Sequence, residues 1–348
     1  GNPAIAKNVL TVGACESNWA TFAGYGFRSP SPDNIAYFSS VGPTFDWRIK
    51  PDIVTPGFKV NSAKSQDSAT CGFRSAMGTS SATALTSGLV AQVRQYYMDS
   101  KFYQTVTGKT LFTPSGALLK ATMVHAGKTM KKYSPIFAAG YKSIRSEVPF
   151  GTIISDEWHD AKHEDSNGDN SRVGDSSKPD FLQGFGRIYL KKVLSLPGVV
   201  NKFDLHVYDS YSLASNTEIS WYVQTPSAGT WLVADDHPEL KVTLTWWDPP
   251  MSSLAIKHVV HDLDLIITEV ASTSDSSWSE PTVNRPIYFG NGGQEPDYTN
   301  NVEQITINNQ QNKGRVGLQL NTVYRVTVRA NIISEATNQK FSLVLTIV

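Results

Sequence analysis

Two hydrophobic rhythms divide the chain. Residues 8–14 form a short apolar run, with Val9, Leu10 and Val12 ahead of Gly13, and predict a buried strand. From Ser80 to about Tyr97, the residues Leu85, Leu89, Val90 and Val93 recur at helical spacing and predict a helix. A second helix is predicted from Thr113-Pro114-Ser115-Gly116, with Thr113 as cap and Pro114 at the first helical position. It runs through Leu118, Leu119, Ala121, Met123 and Val124 to a stop at Gly127. Residues 16–37 and 128–182 are polar or rich in turn formers and predict loops.

From about residue 203 the rhythm changes to period two. Strands are predicted at Asp204–Tyr211, Glu218–Gln224, Leu240–Trp247, Asp262–Val270, Val302–Ile307, Tyr324–Ala330 and Phe341–Val348. So many strands with hardly a helical stretch suggest an antiparallel β-sandwich or jelly roll. With Pro197-Gly198 as the boundary, one unit occupies residues 1–198 and an all-β unit residues 199–348. The length of 348 residues also favours two domains.

Composition removes several function classes. The formal net charge is zero, so there is no basic excess to hold phosphates and nucleic acid is not the expected partner. No run reaches the ~20 apolar residues of a membrane-spanning helix. The chain starts Gly1-Asn2-Pro3, without Met or a signal peptide, and reads as a piece of a longer product. The two cysteines, Cys15 and Cys71, both fall in the first unit, and pairing and free thiols stand as equal alternatives.

The stretch Ala76-Met77-Gly78-Thr79-Ser80-Ser81-Ala82-Thr83-Ala84 carries the clearest chemistry. Gly78 and Thr79 allow a sharp turn, which puts Ser80 at the first turn of a helix, where free amides and the dipole favour negative charge. That environment suits a serine whose attack on a carbonyl creates an oxyanion. Ala82, Ala84 and Gly88 keep the helix slim for close packing. Taken alone, the same residues fit an ordinary serine N-cap. They are not a Gly-x-Ser-x-Gly elbow, because position 82 is Ala.

Gly78-Thr79-Ser80-Ser81-Ala82-Thr83 resembles the nucleophile motif of subtilisin-like serine proteases, the subtilases. Residues 6–14, Phe38-Ser39-Ser40-Val41-Gly42-Pro43 and residues 48–57 are similar to that family's upstream segments, in the same order. The family has Met and Pro where Ser81 and Ala84 stand here. Residues 183–190 resemble the family's exit from the catalytic domain, and 240–248, 261–265 and 300–303 the C-terminal β-barrel of one subtilase subgroup. The resemblance implies an α/β fold with a parallel sheet for residues 1–198, and a serine endopeptidase acting on polypeptides, outside the cell or in the secretory pathway, with Ser80 as nucleophile. In that family Asp precedes His and His precedes Ser. All seven histidines (His125, His159, His163, His206, His237, His258 and His261) follow Ser80, and no Asp before it lies in an Asp-Thr-Gly or Asp-Ser-Gly context. The resemblance therefore implies that the Asp, the His, the oxyanion Asn and most of the cleft come from a missing N-terminal segment, which would leave this chain inactive alone. Loss of that segment would leave residues 8–14 at a bare sheet edge. Asp33 and Asp46 read as turn carboxylates, and Asp52 as a local hydrogen-bonding group. The alternative from another class is a non-catalytic scaffold whose barrel binds protein or glycan through Trp246, Trp247, Trp278 and Tyr298.

Two acidic stretches invite a cation. Glu164-Asp165-Ser166-Asn167-Gly168-Asp169-Asn170 has alternating oxygen donors but lacks EF-hand spacing and reads as a surface loop. Asp262 and Asp264 alternate with Leu263 and Leu265, so both carboxylates face one side of a strand. With Asp297 and Asn301 they form a candidate structural calcium site, weighed against an ordinary polar face.

Overall fold

The computed structural model describes residues 2–17, 32, 34–36, 38–65, 71–130, 132–133, 162–164, 170–172, 179–198, 203–226, 238–252, 255–272, 287–308 and 317–347. The first unit contains β1 (Val12–Glu16), β2 (Asn34–Ile35), β3 (Ile53–Phe58), β4 (Val60–Ala63), β5 (Phe73–Ala76), α1 (Thr79–Met98), α2 (Thr105–Thr107), α3 (Gly116–His125), β6 (Gly127–Lys128), β7 (Lys132–Tyr133), β8 (Lys162–Glu164), β9 (Asn170–Arg172) and β10 (Arg187–Ile188). One sheet runs β6-β10-β3-β1-β2-β7. Its centre is parallel, since β3 pairs in parallel with both β1 and β10, but β2 meets β1 and β6 meets β10 antiparallel. The sheet is thus mixed, not wholly parallel as expected.

The expected strand at 8–14 is displaced. β1 begins at Val12, and Val9 is exposed. Residues 7–9 are instead drawn towards the second unit: Lys7 pairs with Asp248, and Asn8 Nδ2 donates to the Asp248 carbonyl at 2.8 Å. Nor is this stretch a bare edge, because β1 lies between β3 and β2. The second helix starts later than Thr113. Ser115 is its cap, its hydroxyl accepting from Leu118 N at 3.0 Å.

The second unit contains β11 (Asp204–Leu213), β12 (Thr217–Gln224), β13 (Glu239–Trp246), β14 (Asp262–Ser272), β15 (Ile287–Phe289), β16 (Val302–Asn308), β17 (Thr322–Ile332) and β18 (Gln339–Ile347). They form two four-stranded antiparallel sheets, β11-β18-β13-β16 and β12-β17-β14-β15. All seven strands predicted by period two are present. Leu240, Val242 and Leu244 from one sheet share a core with Leu263, Leu265 and Ile267 from the other.

Strand β13 is buried on both faces. Leu240, Val242, Leu244 and Trp246 enter the core between the sheets, whereas Lys241, Thr243 and Thr245 are covered by α3. Each polar side chain there has a partner on or beside the helix. Lys241 Nζ donates to the Gly127 carbonyl at 2.8 Å, and Thr245 Oγ1 to the Ala117 carbonyl at 2.7 Å. Gln304 Nε2 donates to Thr243 Oγ1 at 2.9 Å. His125 is completely buried, with Nδ1 3.0 Å from Thr243 Oγ1 and Nε2 2.9 Å from Thr346 Oγ1. Leu205 and Val344 of the second unit also share a core with Val93, Tyr97 and Leu118 of the first.

Burial, aided by the nearby Lys241 and Lys192, holds the His125 imidazole well below its ordinary pKa. The unfolded chain therefore takes up a proton near pH 6.5 that the folded chain refuses. Stability attributable to His125 is complete above that pH and is lost as pH falls, at about 1.4 kcal/mol per unit. Measured by urea unfolding between pH 5 and 7, roughly the imidazole range, His125→Asn should lower stability at neutral pH and remove this slope.

Candidate active site around Ser80

Ser80 is the second residue of α1 and its side chain is exposed. The helix starts abruptly because Gly78, the N-cap, has φ 143° and ψ 159°, a conformation essentially confined to glycine. Gly57 at the end of β3 makes that turn possible. Gly78 N donates to the Gly57 carbonyl at 2.8 Å, and a Cβ on Gly57 would lie 2.7 Å from the Gly78 carbonyl oxygen. Gly57, Gly78 and the helix start thus form one rigid corner beneath Ser80. Ser81 N and Ala82 N donate to the Gly78 carbonyl at 3.1 and 3.3 Å, and the first N–H groups of a helix have no acceptor within it. The hairpin of β4 and β5 leads directly into this corner, with Phe73 and Met77 exposed beside it.

Of the predicted apolar positions on α1, Val93 is buried and Leu89 and Val90 pack partly buried against the same core, and only Leu85 departs. Ala82, Thr86, Val93, Tyr96 and Tyr97 are buried, while Leu85 is 40% exposed. Of the three small residues, Ala82 packs inside with Ala14, Ala36 and Phe58. Ala84 and Gly88 face outwards, and nothing lies within 4 Å of a Cβ built on Gly88. Hydroxyls close the inner contact: Thr55 Oγ1 donates to the Ala82 carbonyl at 2.9 Å and lies 3.0 Å from Thr86 Oγ1.

Among the described residues no base meets Ser80. His125 is sealed at the junction of the two units. His258 lies 3.3 Å from Asp46 and His261 2.5 Å from Gln339, while His206 belongs to β11. His163 falls in β8, and His159, His237 and Asp33 lie outside the described residues. Asp46 is bound by Arg48 at 2.7 Å. Asp52 accepts from Thr11 N and Lys50 Nζ, both at 2.6 Å, with Lys120 at 3.3 Å. Burial raises the Asp52 carboxyl, but the charges of Lys120 and Lys50 outweigh it and leave the group below its usual range. Cys15 is buried and Cys71 exposed, and no disulfide joins them.

The acidic site in the second unit comes together differently from expectation. Asp262 and Asp264 do face one side: Asn331 Nδ2 donates to Oδ2 of both. The carboxylate that joins them is Glu303 on β16, which the sequence reading did not select. Leu265 N donates to Glu303 Oε2 at 2.8 Å, and a Cβ on Gly290 would lie 2.0 Å from that oxygen. Asp262 Oδ1, Asp264 Oδ1 and Glu303 Oε1 are buried without a hydrogen-bond partner. Burial pushes Asp264 up to about 6 and Glu303 well above the carboxylate range, with mutual repulsion adding to both. Asp297 is already satisfied by Asn291 Nδ2 at 2.6 Å and Asn300 Nδ2 at 2.8 Å. Asn301 belongs to the junction, its Nδ2 donating to Asn8 Oδ1 at 3.0 Å and to the Trp246 carbonyl at 3.1 Å. Among the described residues no three Asp, Glu, His or Cys side chains converge as a ready metal shell. The other acidic stretch gives the hairpin of β8 and β9, and residues 165–169 between them lie outside the described residues.

The Peptidase_S8 profile of the Subtilase family matches residues 1–186, which contain this corner and its helix. The chain belongs to the subtilase family. Relatives extend the likeness through much of the second unit. The serine protease/ABC transporter B family protein tagD of Dictyostelium discoideum is 28% identical over 264 residues, covering 69% of this chain and 13% of that protein. Its counterpart tagB is 28% identical over 318 residues, covering 79% of this chain and 15% of its own length. Serine protease AprX of Bacillus subtilis is 33% identical over 108 residues, 28% of this chain and 23% of AprX. This subtilase chain thus spans 13% to 15% of the length of the two Dictyostelium proteins. Among solved structures, the g-type lysozyme inhibitor PliG of Aeromonas hydrophila is 12% identical, covering 42% of this chain and 87% of that chain at a TM-score of 0.20, which carries no argument.

The two glycines separate position from flexibility. Gly57→Ala should cost about 1–3 kcal/mol in urea unfolding, because the added methyl meets backbone. Gly88→Ala, in open space, should stabilise the isolated chain by about 1 kcal/mol.

Proposed function

We propose that this chain supplies the nucleophile of a subtilisin-type serine endopeptidase, and that the observation carrying this is the exposed Ser80 at a glycine-built helix start. In the complete enzyme Ser80 Oγ attacks the carbonyl carbon of a peptide bond. A base takes the hydroxyl proton, the C–O bond forms, and the carbonyl electrons move to oxygen. The Ser80 N–H is one donor to that oxyanion. Collapse breaks the C–N bond, the base returns the proton to the leaving amine, and water then releases the acyl group.

The base, its orienting carboxylate and the oxyanion Asn belong, in this proposal, to a preceding segment of a longer polypeptide. Two observations support it: His125, His258 and His261 are engaged elsewhere, and α1 leaves Ala84, Leu85 and Gly88 uncovered. That segment is accordingly a partner of this chain, alongside the polypeptide substrate. In the full-length protein a fluorophosphonate probe should label Ser80, and Ser80→Ala should abolish labelling. The 348 residues alone should hydrolyse peptides negligibly. Labelling that persists in the variant would place the nucleophile elsewhere.

We also propose a structural calcium ion in the second unit. Its support is donor chemistry: buried, unpartnered carboxylate oxygens suit a hard cation. Asp262, Asp264 and Glu303 would hold the ion with Asp297 beside them, once the Asn331 amide gives way. Millimolar calcium should then raise the melting temperature above that in EDTA, and Glu303→Gln should remove the increment. An unchanged melting temperature in the parent protein would count against the ion.

A further inference from the structure

The N-terminal end of α3 and the second unit together form an open cavity of about 480 Å³, within the usual size range of small-ligand sites. It plays no part in the chemistry at Ser80 or at the acidic site. Trp247 and Phe341 form its apolar walls, and Ser210, Asn338 and Lys340 contribute polar groups. The adjacent tryptophans have opposite roles. Trp246 is buried, with Nε1 donating to the His261 carbonyl at 3.1 Å, whereas Trp247 lies just past the end of β13 and is 61% exposed. An indole is amphipathic and flat, and it is a good platform when one side is left open.

The polar side of the cavity is held in place by Asp209. That carboxylate accepts from Ser115 N at 2.8 Å and, through Oδ1, from Ser115 Oγ at 2.6 Å and Ser342 Oγ at 2.7 Å. Both serine protons are therefore committed, and with Ser115 Oγ also accepting from Leu118 N and Ser342 buried, they form a fixed polar edge. Asn338 and Lys340 add donors. Ser210 is at φ 60° in the irregularity of β11 between Tyr208 and Tyr211, which places it on the wall. Behind Phe341, Tyr211 and Trp221 stand at ring-centre distances of 6.3 and 6.4 Å and stiffen that wall.

The charge pattern narrows the ligand. No carboxylate is among the described lining residues, so a cation lacks a counter-ion. One lysine is too little for a polyphosphate. What remains is a neutral ligand with an apolar face and a rim of hydroxyls that both donate and accept. We propose that this cavity binds a neutral sugar ring stacked on Trp247, as an accessory site independent of the catalytic reading.

The test is calorimetric titration of the full chain with cello-, chito- and manno-oligosaccharides. At least one series should give saturable binding. Trp247→Ala should weaken it by about tenfold or more while leaving the melting temperature unchanged, because the ring is exposed. Asn338→Ala should weaken it by a smaller factor and serves as a second, milder probe. Absence of saturable binding to all three series would overturn the proposal, as would a Trp247→Ala protein that titrates like the parent. Binding of neutral peptides, lost in Trp247→Ala, with no binding of sugars would overturn it too and assign the cavity to polypeptide. Because the readout is binding, failure here leaves the assignment of Ser80 untouched.

Discussion

The structure depends on burying α3 between two sheets without leaving a polar group stranded. From Lys120 to His125 every residue of that helix is buried, and the surfaces that cover it are not purely apolar. The sheet beneath presents Thr243, Thr245, Thr346, Gln304 and Lys241, and each finds a backbone carbonyl, a hydroxyl or the His125 ring. A buried polar group without a partner costs roughly 1–3 kcal/mol, so this array tolerates only one way of seating the helix. That makes the second unit part of the first unit's support.

The same constraint explains the path of the chain before β1. Lys7 and Asn8 are drawn onto Asp248, whose other carboxylate contacts are Val260 N at 2.9 Å and His261 N at 2.8 Å. Lys120 reaches from α3 to the carbonyls of Lys7 and Val9, at 2.9 and 3.3 Å, while lying 3.3 Å from Asp52. Its ammonium pKa is pushed down to about 7 by burial, which the nearby Asp52 only partly opposes. Charged groups therefore tie the first strand, the helix and the second unit together. The corner at Gly57 and Gly78 rests on this frame through β3, so the position of Ser80 is linked to contacts made far along the chain.

The outer side of α1 contrasts with this tightly paired interior. Hydroxyl contacts and Ala82 close its inner side, but Ala84, Leu85 and Gly88 have no comparable covering. Small side chains on a helix allow close approach of another element, and here they lie on the helix whose second residue is Ser80. The proposed reading unites these two facts.

Much was legible along the chain. The glycine-threonine-serine turn reports a helix start because its backbone demands are local, and period two reports strands because alternate side chains of a pleated strand point to opposite sides. Membership of the subtilase family was likewise carried by short local motifs. What covers each face was not legible. Period two separates the threonines of β13 from its apolar residues, but only α3 makes them interior. Leu85 read as core, yet the packed face of α1 lies on Ala82 and Thr86. Glu303 is separated from Asp264 by a long stretch of sequence and stands in the other sheet, and only the packing of the two sheets brings them together. Local conformation depends on neighbours in the chain, whereas burial, charge and ligand geometry depend on neighbours in space, and those were settled by the fold.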